Sequence, residues 1–231
     1  MKQKLNKGGV RHLLMPVEWA IIMIVSFSFA AGQMYNYRAW LAFGIVTFGA
    51  FVAALLLWKF SPEVSNHRAS AGEGTKTWDK VIMIGYLLIT LIITPIIAGL
   101  DVGRFKWSQL DTKYMIGGIA LYVAFFLLFY WAMLINEHFE GTSRVQTDRK
   151  HKVIMHGPYR LVRHPGYVAM MLLALSYPLI IGSLYSLIPC VITIILIFIR
   201  TFLEDRMLLT ELDGYSEYTK NTKYRLLPGI W

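Results

Sequence analysis

The sequence predicts an all-α protein, a polytopic transmembrane helix bundle, and three observations carry that expectation. Of its 231 residues 56% are hydrophobic and the mean hydropathy is +0.49, more apolar surface than one soluble core of this length requires. Six apolar runs recur, at about 14–34, 39–58, 81–98, 114–135, 167–182 and 186–203, several of them near the ~20 residues that cross a bilayer. The third observation is where the charge falls. With the N-terminus in the cytoplasm, the basic residues Lys2, Lys4, Lys7, Arg11, Lys59, Arg68, Lys76, Lys80 and all those from Arg144 onward lie on the inner side, leaving only Arg38, Arg104, Lys106 and Lys113 outside. This asymmetry accounts for the formal charge of +9, sets both termini in the cytoplasm of a cell membrane read as prokaryotic, and assigns the basic face to anionic membrane lipids rather than to nucleic acid.

The first run lacks a small-residue cleavage motif and reads as a retained span, with Glu18 at the interface. Tyr35, Tyr37 and Trp40 form an aromatic belt at the outer turn. Ser61 to Lys80, polar and carrying Gly72 and Gly74, reads as a mobile cytoplasmic connection. Pro95 is expected to kink the third span. Gly117 and Gly118 give the fourth a small face for close helix approach. At its inner end Asn136, Glu137, His138 and Glu140 read as a solvated helix end; Glu137 and His138 are adjacent, cannot share a helical face, and no metal site is expected. Cys190, the single cysteine, sits in an apolar run beside Pro189 as a packed thiol, which excludes an internal disulfide.

Residues 136–166 are too polar to cross the bilayer and too rich in turn chemistry to be a tether. Val153, Ile154 and Met155 read as extended, Gly157-Pro158 as a turn, and Pro165 as the first turn of the fifth helix, where its missing N–H costs nothing. His164 then falls at the N-cap, where free N–H groups and the positive dipole end receive a carboxylate, with Arg163 as a bidentate partner. The fifth and sixth runs form a hairpin through Gly182 and Ser183, each about 16 to 18 residues long, interrupted by Pro178 and Pro189 and buried against neighbours. Arg200 and Glu204 lie four apart on one face, either as a terminal pair snorkelling to the interface or as the edge of a site. Beyond Asp205, a surface helix carrying Leu208, Leu209 and Leu212 ends at Gly214, and a tail with Tyr215, Tyr218, Tyr224 and Arg225 folds over the site. The N-terminal helices, 1–135, and the core, 136–231, make one integrated domain.

Taken in order, HKV (151–153), GPYRLVRHPGY (157–167), RTFLEDRMLLTEL (200–212), GYSEY and YRLLP resemble the isoprenylcysteine carboxyl methyltransferase family and its relatives, the phospholipid and thiol methyltransferases. The resemblance covers roughly the last 90 residues and implies S-adenosylmethionine as cofactor. It also implies that His151, Val153, Gly157, Tyr159, Arg163, His164, Pro165, Tyr167 and Glu204 bind it, and that Arg200 faces the methyl acceptor, Arg200 and Glu204 being the catalytic pair. Asp205 stands where the family's RxxxEE pattern has a second glutamate, so its role is not carried over. The cofactor has a carboxylate for the helix N-terminus and Arg163, and an amine for Glu204. The acceptor is expected to be a lipophilic or lipidated small molecule entering from the bilayer, a carboxylate of the isoprenylcysteine type first, with a phospholipid amine or a thiol as alternatives. A sterol-type reductase using NADPH would read RHxNY where this chain has RHPGY. A transporter would place polar residues in spans two to four, which are nearly bare of them, and would show internal repeats that are missing.

Overall fold

The computed structural model describes residues 4–32, 36–68 and 74–231; Lys2, Tyr35 and Gly72, named above, lie outside them. Among the described residues 75% are helical and no strand occurs, as an apolar bundle in lipid requires, because every backbone polar group must be satisfied within its own segment. Five helical stretches are long and apolar enough to cross a membrane. The first, α1 (Lys7–Ala31), starts where the Asn6 side chain accepts from Gly9 N and ends at Gly32, whose φ of 66° suits glycine. The second, α2 (Tyr37–Phe60), is capped by Asn36, which accepts from Arg38 N and Ala39 N.

The third span, Thr77–Phe105, is longer at both ends than the apolar run that marked it. It passes through α4 (Thr77–Leu88), a π-helical turn Ile89–Ile93, α5 (Thr94–Ala98) and a second π turn Gly99–Phe105. Pro95 sits in the first turn of α5, so the widened turn before it absorbs the missing N–H where a kink was expected. This span packs tightly on α1. A Cβ on Gly99 would lie 2.5 Å from Phe27 O, and one on Gly103 2.4 Å from Ala31 Cβ. The fourth span, α6 (Thr112–Ile135), uses its small face in the same way: a Cβ on Gly118 would meet Ile180 N and Ser176 O at 2.8 Å, whereas Gly117 faces open space.

The closing hairpin differs from expectation in one arm. Helix α7 (Pro165–Ile181) has 17 residues, about 26 Å at ~1.5 Å per residue, and is walled in by α2, α6 and α8. Helix α8 (Leu187–Glu211) instead has 25 residues, because Pro189 lies in its first turn, where no hydrogen bond is lost, and the helix runs unbroken through Asp205. Leu208 and Leu209 therefore belong to this same helix, not to a separate surface helix; only α9 (Tyr215–Asn221) is distinct, after Gly214 at φ 80°.

At the end of the bundle away from the 151–167 segment, Arg38 is buried rather than facing water. It donates to Ile180 O at 2.8 Å, Leu179 O at 2.7 Å and Leu110 O at 2.5 Å, satisfying carbonyls at the end of α7. Nearby, fully buried Asp101 accepts from Ser108 and from Ser183 Oγ and Tyr185 N.

At the site end, residues 62–68 form a helix, α3 (Pro62–Arg68), where a loop was expected, anchored beneath α1 by Asn66, which accepts from Asn6 N and donates to Lys4 O. The end of α6 is not solvated either. The chain doubles back over it, burying His138 against Gln146 (3.2 Å) and His151, and burying Glu140 under a two-bond contact from Arg144. The tail closes the site end, with Arg163 N and His164 N donating to Tyr224 O and Arg225 O.

Candidate functional site

A cavity of about 570 Å³ opens inside the bundle, within the range that holds cofactors and drug-sized ligands. Its wall changes character along its length. Met15, Trp19, Met23, Phe126 and Phe129 make one part apolar; His151, Arg163, His164, Tyr167, Arg200 and Glu204 make the other polar. All the predicted site residues line it except Gly157. Gly157 works on the backbone: it opens a 3₁₀ turn at φ 60°, and a Cβ there would sit 2.4 Å from Ile135 Cδ1.

Helical geometry sends the adjacent carboxylates of α8 to different places, since consecutive residues are ~100° apart on a helix. Asp205 turns toward α7 and the tail and is fully buried. Its oxygens take Arg163 Nε at 2.8 Å and Nη2 at 3.0 Å, Arg225 Nε at 2.7 Å and Tyr215 Oη at 2.9 Å, with His164 Nε2 at 3.3 Å. Arg163 directs Nη1 at Thr222 O (2.9 Å) and Lys223 O (2.7 Å). Burial alone would lower the Arg163 pKa, but the Asp205 carboxylate holds it above its ordinary value. Arg163 is thus committed to a clamp between α8 and the tail, and the backbone N–H groups of Arg163 and His164 are committed to it too. The carboxylate-receiving arrangement expected at this helix start is already filled by the protein itself.

Glu204 turns the other way, into the cavity. Its Oε2 accepts from Tyr167 Oη at 2.5 Å and from Ser143 Oγ, while His164 Nδ1 stands 3.8 Å from Oε1. The His164 and Tyr167 rings stack at 5.5 Å. Arg200 shares the face of Glu204 but pairs elsewhere: its Nε donates to Asp79 Oδ1 at 2.7 Å and its Nη2 to Gly141 O at 2.8 Å, with the guanidinium 5.0 Å from the Tyr167 ring centre. The terminal Arg200–Glu204 pair considered from the sequence is therefore not formed. Asp79, fully buried in the first turn of α4, also accepts from Ser143 N (2.8 Å) and Ser143 Oγ (2.9 Å). Ser143 has one hydroxyl proton for two carboxylates.

Sequence reasoning missed Asp79 and Ser143. Asp79 falls in the 61–80 stretch read as a connection, and nothing local marks it as the partner of a residue 121 positions away.

The 151–159 stretch forms the remaining wall. Val153 packs with Tyr159, Leu212, Tyr215 and Tyr218. Burial raises the Tyr159 phenol, which stays neutral and accepts from Asn136 Nδ2 at 3.0 Å. Burial, with the charges of His138, Arg149 and Arg144, pushes the His151 imidazole from 6.5 down to about 4. Because the folded pKa lies below the unfolded one, the stability His151 contributes is complete above pH 6.5 and is lost as pH falls toward 4. The expected result is that thermal stability in detergent declines between pH 6.5 and 4, and that His151→Gln flattens this decline. An identical acid limb in the variant would count against the assignment.

Fold and chamber together define a class, a polytopic helical membrane protein with a polar chamber at one end that continues into an apolar cavity. Residues 112–212 match the family model described as phospholipid methyltransferase, a family that stands with the isoprenylcysteine carboxyl methyltransferases. The matched stretch runs from the start of α6 to the end of α8 and takes in the polar segment between them. Among curated proteins nothing matches the chain.

Proposed function

We propose that the protein transfers a methyl group from S-adenosylmethionine to the head of an amphiphilic acceptor, with an amine as the methylated group. The observation that supports this most is the Glu204 side chain in the cavity wall, held by Tyr167 and Ser143 and not paired with Arg200, on the polar part of a cavity that continues into an apolar one. When bound, S-adenosylmethionine supplies an electrophilic methyl on a sulfonium and brings an ammonium as well; both cationic groups suit Glu204, which Tyr167 and Ser143 hold in place. Stacked His164 and Tyr167, with Val153 and Tyr159, supply flat and apolar contact surface. The chain's own task is to bring acceptor and methyl within about 3–3.5 Å in a site from which water is excluded.

The isoprenylcysteine resemblance favoured a carboxylate acceptor because of Arg200. That reading needs Arg200 to leave Asp79 or to serve both, whereas an amine meets Glu204 in the cavity wall, which then takes the proton that the methylated nitrogen releases. The basic site end sets the cofactor entrance on the cytoplasmic side, and the apolar part of the cavity admits the acceptor tail from the bilayer.

Calorimetry of the purified protein in detergent tests the cofactor. Heat with S-adenosylmethionine, weakened in Glu204→Ala, is expected, while Arg200→Ala mainly lowers turnover. Binding of NADPH without binding of S-adenosylmethionine would replace this reading with the reductase. Equal small losses in both variants would remove Arg200 and Glu204 from the working site.

A further inference from the structure

We propose that Arg68 and His12 form an anion subsite in the cavity wall, which takes the phosphate of a lipid headgroup whose amine lies toward Glu204. The inference rests on the methyl-transfer reading and adds a site from the N-terminal half, outside the matched residues 112–212. Both side chains line the cavity. Of the four arginines that do so, Arg144 pairs with Glu140 and Asp148, Arg163 with Asp205 and Arg200 with Asp79; Arg68 alone makes no ion-pair contact with a carboxylate among the described residues, Glu140 acting on it only at longer range. Its Nε donates to His12 Nε2 at 3.0 Å, its Nη1 to Phe139 O at 3.3 Å, and its plane lies over the Phe139 ring at 5.3 Å. Burial lowers the guanidinium to about 10, which leaves it charged at neutral pH.

The donor chemistry follows from these bonds. Since His12 Nε2 accepts from Arg68, the neutral imidazole carries its proton on Nδ1. That Nδ1 is buried and has no partner among the described residues, and neither has Thr142 Oγ1, also on the cavity wall. A buried donor left unsatisfied is costly, and a guanidinium beside it selects an anion with several oxygens. The two poles are close. Gly141 separates them: its carbonyl accepts from Arg200, and a Cβ on it would lie 3.6 Å from Arg68 Nη2. One side of Gly141 therefore faces Arg68, and the other faces the Arg200–Asp79 pair with Glu204 beyond it. A head with a phosphate beside an amine matches both, and the apolar wall at Met15, Trp19 and Phe126 matches acyl chains.

The test counts lipids retained by the full chain in native mass spectrometry, using dioleoyl phosphatidylethanolamine and, as a headless control, dioleoylglycerol. Wild type is expected to retain the phospholipid in preference. Arg68→Gln is expected to lower that retention at least about tenfold, the scale of one charge-assisted contact, without changing dioleoylglycerol. Arg68→Lys keeps the charge but not the fork, and is expected to fall between. Equal retention of the two lipids by wild type, or equal loss of both in Arg68→Gln, overturns the subsite, and the wild-type comparison needs no variant to fold. Calorimetry with inorganic phosphate separates the sources: Arg68-dependent heat with no lipid preference would make this a free-anion site and overturn the headgroup assignment. Arg68-dependent phospholipid retention in a protein that binds no S-adenosylmethionine would sustain the subsite while the methyltransferase reading fails.

Discussion

Asp205→Ala is expected to be the most damaging single substitution in the site end, lowering stability by about 3–5 kcal/mol, the usual cost of stranding a buried charge by removing its partner. Three elements converge on this carboxylate: Arg163 ahead of α7, Tyr215 of α9 and Arg225 of the tail. Without it, two guanidinium groups face one another across a space from which water is excluded. For a chain of this size the expected fall in the midpoint of thermal unfolding is roughly 6–20 °C. Asp205→Asn keeps an oxygen for Tyr215 but not the charge, and should fall nearly as far. A midpoint unchanged within about 2 °C in both variants would show that the clamp does not hold the tail on the bundle. The position where the resembling family has a second glutamate thus receives a structural assignment here, with a shorter side chain suited to a carboxylate enclosed on every side.

The second large effect is expected at Asp79, and it should appear in turnover more than in folding. Asp79→Ala frees Arg200, whose nearest alternative is Glu204 one helical turn along the same face. Re-pairing would draw Glu204 away from Tyr167 and Ser143, so cofactor affinity and turnover should both drop, turnover by about 10²-fold, the scale of ~2.7 kcal/mol. The signature is non-additivity. Removing the freed cation as well, in Asp79→Ala/Arg200→Gln, should restore cofactor affinity toward wild type even though turnover stays low. If the double variant binds S-adenosylmethionine worse than either single one, the coupling through Glu204 is wrong.

The spans were legible because lipid imposes a length and a composition on anything that crosses it, and α1, α2, α6 and α7 lie close to the apolar runs that marked them. The inner half of α8 was not legible as helix continuation. Glu204, Asp205 and Arg206 end the apolar run, yet they are ordinary helix residues, and the backbone has no reason to stop where the hydropathy does. The site divides along a similar line. His151, Tyr159, His164, Tyr167, Arg200 and Glu204 could be named from motif and spacing, and they do meet around one cavity. Their pairings could not, because which buried carboxylate meets which arginine is decided by packing between distant segments. Arg163 was read as a free hand for a ligand, and only the fold shows Asp205, Thr222 and Lys223 bonded to each of its three nitrogens. Asp79 lay in a stretch read as a loop, so its burial could not be foreseen.

The capping of α7 by Arg38 bears on how the molecule is made. Arg38 bonds to Ile180 O, 142 positions later in the chain, so at a synthesis rate of about 5–20 residues per second the ribosome needs roughly 7–30 s to deliver its acceptor. Throughout that interval the second span is in the bilayer with a guanidinium that lacks its two α7 acceptors, and the interface is the cheapest place for it to wait. Asp79 waits in the same way for Arg200, 121 positions on. Both ends of the early bundle are thus left open until the last hairpin arrives and locks them together, so the maturation of this protein is an act of closure by its C-terminal half, and a chain truncated before α7 would remain in the membrane as an unfinished intermediate exposed to quality-control proteolysis.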